Sequence, residues 1–221
     1  MPCAICHTRK EKRFCPAVHD RICAPCCGQE REVTLDCPSD CPYLVQARAH
    51  EKPRSVQELE AAGAELFPEV PVSQAFSYEQ EPLIAGLCSG LARVARADRQ
   101  VRDRDAIAAL ANLARSYQRM VDSGLQYEAA ATDAGQMAVA AEVHRMIAEY
   151  RALEQQHLGH TRLRDSDVLR TLVFLLRMAY THTSGRPRSH AFLDFLFGMF
   201  PEKAAPAIAT PGDPASRIII P

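Results

Sequence analysis

Eight of the nine cysteines fall within the first 41 residues: Cys3, Cys6, Cys15, Cys23, Cys26, Cys27, Cys37 and Cys41. Their spacing is Cys-x2-Cys, a lone Cys, Cys-x2-Cys-Cys and Cys-x3-Cys, a series built from tight chelating turns. Thiolates at such spacing bind a divalent metal, and two tetrahedral ions need eight ligands. The count predicts a binuclear module that holds two structural Zn2+ per chain with no ligand left over. A site closed by four cysteines leaves no open position for water, so the chemistry predicted here is structural and no catalytic residue is assigned.

The elements that hold these thiols are short. Residues 1–44 carry few large apolar side chains beyond Ile5, Phe14, Val18, Ile22, Val33, Leu35 and Leu44. Metal must supply what burial does not, and structural zinc contributes about 10–16 kcal/mol per site in finger peptides. In a cross-brace, Cys3 and Cys6 share one ion with Cys23 and either Cys26 or Cys27, while Cys15 and its partner share the other with Cys37 and Cys41. The partner of Cys15 is His19, four residues on, or one of Cys26 and Cys27. The all-cysteine solution is preferred because it leaves no buried thiol unexplained.

Cys3 and Cys6, an aromatic at Phe14 beside Cys15 and Pro16, Cys23 with Cys27, and Cys37 with Cys41 together resemble the HIT-type zinc finger. More loosely they resemble RING-like and treble-clef cross-braces. The pattern departs from the HIT type at Val18, where that family has a cysteine, and at Cys37, where it has a histidine. The resemblance covers roughly a fifth of the chain. It implies a rigid protein-interaction module whose zinc is structural.

Compartment and charge narrow the partners. The N-terminal MPCAIC has no charged segment followed by an apolar run and no small-residue cleavage site, which reads as a cytoplasmic protein without a secretion signal. A reducing compartment favours metal over disulfides for paired cysteines. The most strongly apolar run, Leu172 to Leu176, stops at Arg177, so no membrane partner is expected. Residues 1–54 hold nine Lys and Arg against seven Asp and Glu. Two zinc sites of four thiolates, each with a net charge of about −2, would reverse that excess. Phosphate-backbone binding depends on positive charge, so nucleic acid is disfavoured. The basic stripe from Arg9 to Arg13 reads as a solvated hairpin tip.

Behind the finger the sequence predicts a linker over 45–54, an all-α bundle of five or six helices over 55–203, and a flexible Pro/Ala-rich tail over 204–221 that ends in RIIIP, a candidate docking segment. Ser55 and Glu58 form a capping-box pattern that opens a helix to about Phe67. Pro82 suits a first helical turn, with Ile84, Leu87, Cys88, Leu91 and Val94 on one face, and Cys88 reads as a small core residue. A helix over 105–123 shows Ile107, Leu110, Ala114, Tyr117 and Val121, and Gly124 is placed to end it. The charged run Asp98 to Asp105 before it reads as an ion-paired connection. A helix over 132–156 shows Val139, Val143, Met146, Ile147, Tyr150 and Leu153. His157 and His160, with Gly159 between them, read as exposed residues past its end. The helix after Asp165 is apolar around nearly its whole circumference and is expected to be central. The segment from Phe192 to Phe200 must pack on that helix or offer a contact to a second copy across 190–200. Ser184 to His190, with two arginines, reads as a tight turn between these helices.

No Gly-rich phosphate loop, HExxH pair or serine elbow occurs at an informative spacing. The leading reading is a protein-protein interaction or adaptor module. A nucleic-acid-associated regulator comes second. An enzyme whose site is dispersed over the helices comes third.

Overall fold

The N-terminal module is organised by a hairpin and the helix that follows it. In the computed structural model, which describes residues 1–52, 54, 55, 58, 61, 67–124 and 133–202, strands β1 (Arg13–Cys15) and β2 (Asp20–Ile22) pair antiparallel with Arg13 opposite Ile22 and Cys15 opposite Asp20. Helix α1 (Ala24–Glu30) starts directly after β2, with Cys23 as its N-cap and Pro25 in its first turn, where a missing N–H costs nothing. Helix α2 (Pro42–Arg48) repeats the device, with Cys41 as N-cap and Pro42 in its first turn. The buried cluster of the module is mostly sulfur: Cys3, Cys15, Cys23, Cys26 and Cys27, with Ile22 and Leu35. Phe14, Val18 and Val33 are exposed, so burial contributes little and the thiols carry the interior.

Six helices follow among the described residues: α3 (Gln74–Glu79), α4 (Glu81–Ala97), α5 (Asp103–Ser123), α6 (Ala134–Leu158), α7 (Asp165–His182) and α8 (Ala191–Met199). The mostly helical fold behind a small cysteine-rich region agrees with the sequence expectation. Helix α7 is central: Val168, Leu172, Val173, Leu175, Leu176 and Ala179 are fully buried, and it packs against α4, α5 and α8. An all-round apolar helix needs neighbours on every side, which is why α7 occupies the middle. Helix α8 buries Phe192, Leu193 and Leu196 within the same chain, the first of the two alternatives for that segment. Among the described residues, no helix is long and apolar enough to cross a membrane.

The helix ends follow sequence signals closely. Pro82 lies in the first turn of α4. Gly124 and Gly159 end α5 and α6 in the left-handed conformation, at φ +70° and +75°, which glycine adopts without a Cβ clash. The Ser55–Glu58 capping box forms, with the Ser55 N–H donating to Glu58 Oε2 at 2.6 Å and the Glu58 N–H to Ser55 Oγ at 3.3 Å. Most of the helix it was expected to open, and the tail over 204–221, lie outside the described residues. Val121 is 45% exposed at the end of α5 and does not join the core as its stripe predicted. Residues 42–48, read as the end of the finger and the start of a polar connection, are helical.

Candidate metal centre

Cys3, Cys6, Cys23 and Cys26 bring their four sulfurs within 4.8 Å of one another. Two elements place them. Cys3 and Cys6 flank a turn in which the His7 N–H donates to the Cys3 carbonyl at 2.9 Å. Cys23 and Cys26 lie at the start of α1, the first as N-cap and the second within its first turn. The turn is locked to the hairpin because Cys3 N–H donates to Arg9 O at 2.8 Å and Ala4 N–H to Arg21 O at 3.1 Å. All nine cysteines are free thiols, and the 3.9 Å between the sulfurs of Cys6 and Cys23 far exceeds a disulfide bond of about 2.05 Å.

The surroundings favour thiolates. Backbone amides of Ile5 and Cys23 point at Cys3 Sγ from 3.4 and 3.2 Å, and the Cys26 amide at Cys23 Sγ from 3.5 Å. Burial alone would raise the Cys3 thiol, but the amides of Cys6, Cys23 and Ile5 outweigh it and bring its pKa below the usual thiol value. Cys6 falls to about 5 because the Thr8 hydroxyl, then the Thr8 and Arg9 amides, donate to it. Cys26 is pushed up to about 12 by hydrogen bonding with Cys23, by burial, and by Cys6 and Cys3. Four thiolates this close repel one another, a cost that a bound cation would offset. The donor set fits one soft or borderline metal ion, closed on all four sides by protein sulfur.

The other four predicted ligands do not join this cluster, and among the described residues they form no second group of three or more ligand atoms within 4.8 Å of one another. Cys26 and Cys27 are adjacent in α1, about 100° apart around a helix, and only Cys26 joins the cluster. Cys27 instead accepts from Arg13 Nη1 at 3.5 Å. Burial raises the Cys37 thiol to about 11; Cys15, Cys41 and Glu32 add negative charge beside it, against the Glu32 amide. His19 is exposed, at the hairpin turn with φ +52°, and His7, His157 and His160 are exposed as well. The basic stripe has a local use: Arg13 serves Cys27 and lies 4.5 Å over the Tyr43 ring, and a hydrogen bond with Cys23 raises the pKa of Arg9.

Side chains that the spacing argument did not single out fasten this module to the helices. Glu32, just after α1, is 1% exposed and sits at φ +55°, a left-handed backbone that costs a non-glycine residue about 1–2 kcal/mol. That conformation aims its carboxylate into the seam, where it receives Arg48 Nη2 at 2.7 Å and the Ser184 hydroxyl at 3.1 Å. Arg48 also bonds Asp194 of α8, which accepts from Ser39 at 2.7 Å. Arg186 Nη1 donates to the carbonyls of Arg31 at 2.6 Å and Gly28 at 3.2 Å. Those are carbonyls at the C-terminal end of α1, which a cation satisfies well. Arg102 reaches Asp36 at 2.9 Å and also contacts His190. The Ser184 to His190 turn is thus both a helix connection and a clamp on the finger. The run Asp98 to Asp105 does more than pair charges: buried Asp103 accepts from Ser189 Oγ at 2.6 Å and from the amides of Phe192 and Leu193 at 3.2 Å, capping α8 from another helix.

No family model, curated protein or solved structure matches the chain.

Proposed function

We propose that the N-terminal module is a binuclear structural zinc finger of treble-clef type, and that the protein works as an interaction or adaptor module. The observation that carries the zinc is the sulfur geometry. Zn–S bonds of about 2.3 Å around a tetrahedron put sulfurs about 3.8 Å apart, and Cys6 and Cys23 stand 3.9 Å apart. The order of chelating turn, hairpin and helix N-terminus supports the treble-clef reading. A second zinc on Cys15, Cys27, Cys37 and Cys41 rests on the ligand count, since these four thiols are what the first cluster leaves over. Cys26 is taken up by the first cluster and Cys27 is not, so this reading assigns Cys27, rather than His19, as the partner of Cys15. Closed four-sulfur sites hold no water to activate, so binding of another protein is the activity these sites suit best.

Native mass spectrometry and metal analysis of the purified chain test the zinc: about two zinc ions per chain are expected from eight thiolate ligands, falling to about one in a Cys37→Ser, Cys41→Ser variant. A single zinc in both proteins would remove the second site. An affinity pull-down with the intact chain beside that variant tests the role, and partners lost only from the variant place recognition in the finger.

A further inference from the structure

Arg102 is 6% exposed where α5, the 184–190 turn and the finger meet. Its terminal nitrogens are divided among those elements: Nη2 donates to Asp36 Oδ2 of the finger at 2.9 Å, and Nη1 donates to Arg99 O at 2.7 Å and contacts Nε2 of His190. The backbone holds that contact in place. The Asp103 N–H donates to Ser189 O at 3.0 Å and the Asp194 N–H to His190 O at 2.7 Å, while the Ser189 hydroxyl donates to Asp103 at 2.6 Å. His190 is thereby fixed at the N-cap of α8 with its half-buried ring against Arg102.

A guanidinium has donors and no acceptor, and it stays charged at any pH a protein meets. The nitrogen that faces it must accept, which a neutral imidazole does and an imidazolium cannot. The ring is therefore neutral in this fold, with its proton on Nδ1. The charged groups that act on it are Arg102 and Asp103 from α5, Asp36 from the finger and Asp194 from its own helix, and Asp194 is already bonded to Arg48 of α2. The three carboxylates favour the protonated ring, but burial and then Arg102 outweigh them and hold His190 below its ordinary value of 6.5. Folding thus favours the neutral form: its contribution to stability is complete above the unfolded value and is lost as pH falls from there toward the folded one. We propose that the contact between Arg102 and His190 is a pH-sensitive latch between bundle and finger, in which a proton taken up from water at His190 Nε2 turns the acceptor into a second donor and parts Arg102, with Asp36, from the start of α8. The latch rests on the geometry of the seam and not on the reading of the cysteines.

Nitrogen NMR of the histidine rings in the full-length chain, with His190 assigned against a His190→Gln variant, reads the latch directly. A neutral ring protonated on Nδ1 is expected at neutral pH, with a titration below 6.5. Amide hydrogen exchange, corrected for its own pH dependence, reads the opening: segments 31–41, 98–105 and 189–194 are expected to lose protection as pH falls below about 6.5, by up to about tenfold per pH unit. His190→Gln, an acceptor that does not titrate, is expected to keep them protected. His182→Gln removes another histidine whose pKa burial lowers, and it is expected to leave the loss in place. Metal content measured in the same samples separates the latch from acid loss of metal. A ring protonated on Nε2 at neutral pH, a titration at or above 6.5, or protection indifferent to pH would each overturn the proposal. So would a loss of protection that is unchanged in His190→Gln or that only follows the metal. Should that variant fold poorly, the wild-type ring, assigned through its own backbone resonances, still decides.

Discussion

Cys88 is the one cysteine outside the finger, and its setting is the opposite of theirs. It is 2% exposed on α4, among the described residues no charge or amide is aimed at its sulfur, and burial pushes its thiol up to about 12 from 9.0. Folding therefore favours the protonated form: the unfolded chain releases this proton near pH 9 while the folded chain keeps it to about 12. Stability from this residue is complete below the unfolded value and is lost as pH rises between the two, at up to about 1.4 kcal/mol per pH unit. Chemical denaturation at a series of alkaline pH values is expected to show this slope, and Cys88→Ala to lose that part of it while retaining the contribution of the raised tyrosines Tyr117 and Tyr150. In the finger the same element, sulfur, is surrounded by amides and other thiols. Cys6 at about 5 and Cys26 at about 12 differ because one accepts from the Thr8 hydroxyl and two amides while the other is shut in with three sulfurs.

Helix α1 has seven residues, too few to persist alone. Its N-terminal end is held by Cys23 and Cys26 in the four-sulfur cluster, and its C-terminal end by a guanidinium from a turn more than 150 residues later. Helix α8 is treated alike. His190 at its N-cap makes no side-chain cap, and Asp103 supplies it from α5. Substituting Arg186→Ala removes charge-assisted bonds to two carbonyls. It is expected to cost about 1.5–3 kcal/mol in denaturant unfolding and to speed loss of metal to a chelator, read by a colorimetric indicator. An unchanged release rate would mean that the C-terminal end of α1 does not support the thiols at its start.

At the scale of the molecule, finger and bundle meet through a nearly buried ionic seam of Glu32, Arg48 and Asp194, whose side chains are 2%, 18% and 17% exposed. Breaking such a set by removing one partner costs about 3–5 kcal/mol, because the charge left behind has no counterion and no water. The seam ties the cysteine-rich module to the helices. Chelation at neutral pH is therefore expected to lower the melting temperature of the helical signal in far-ultraviolet circular dichroism, in one transition shared with the finger. A helical transition that ignores the chelator would show two independent units.

The sequence alone determined the metal-ligand spacing of the first cysteines and the helical character of the rest. Both signals are local: a two-residue gap lets one turn present two sulfurs, and apolar residues every three or four positions mark a helical face whatever it packs on. The cross-brace rule even grouped Cys3, Cys6 and Cys23, which the fold brings together, yet left Cys26 and Cys27 open. Only the direction in which α1 leaves the hairpin chose Cys26, since neighbours on a helix point about 100° apart. Tertiary structure alone decided the seam and the caps from afar. Glu32, Arg48, Asp103 and Arg186 look like any solvated charges in a linear chain, because what buries them are partners 16 to 158 residues away. A polar residue carries no periodic mark of the neighbour it will meet, whereas a thiol two residues from another thiol does.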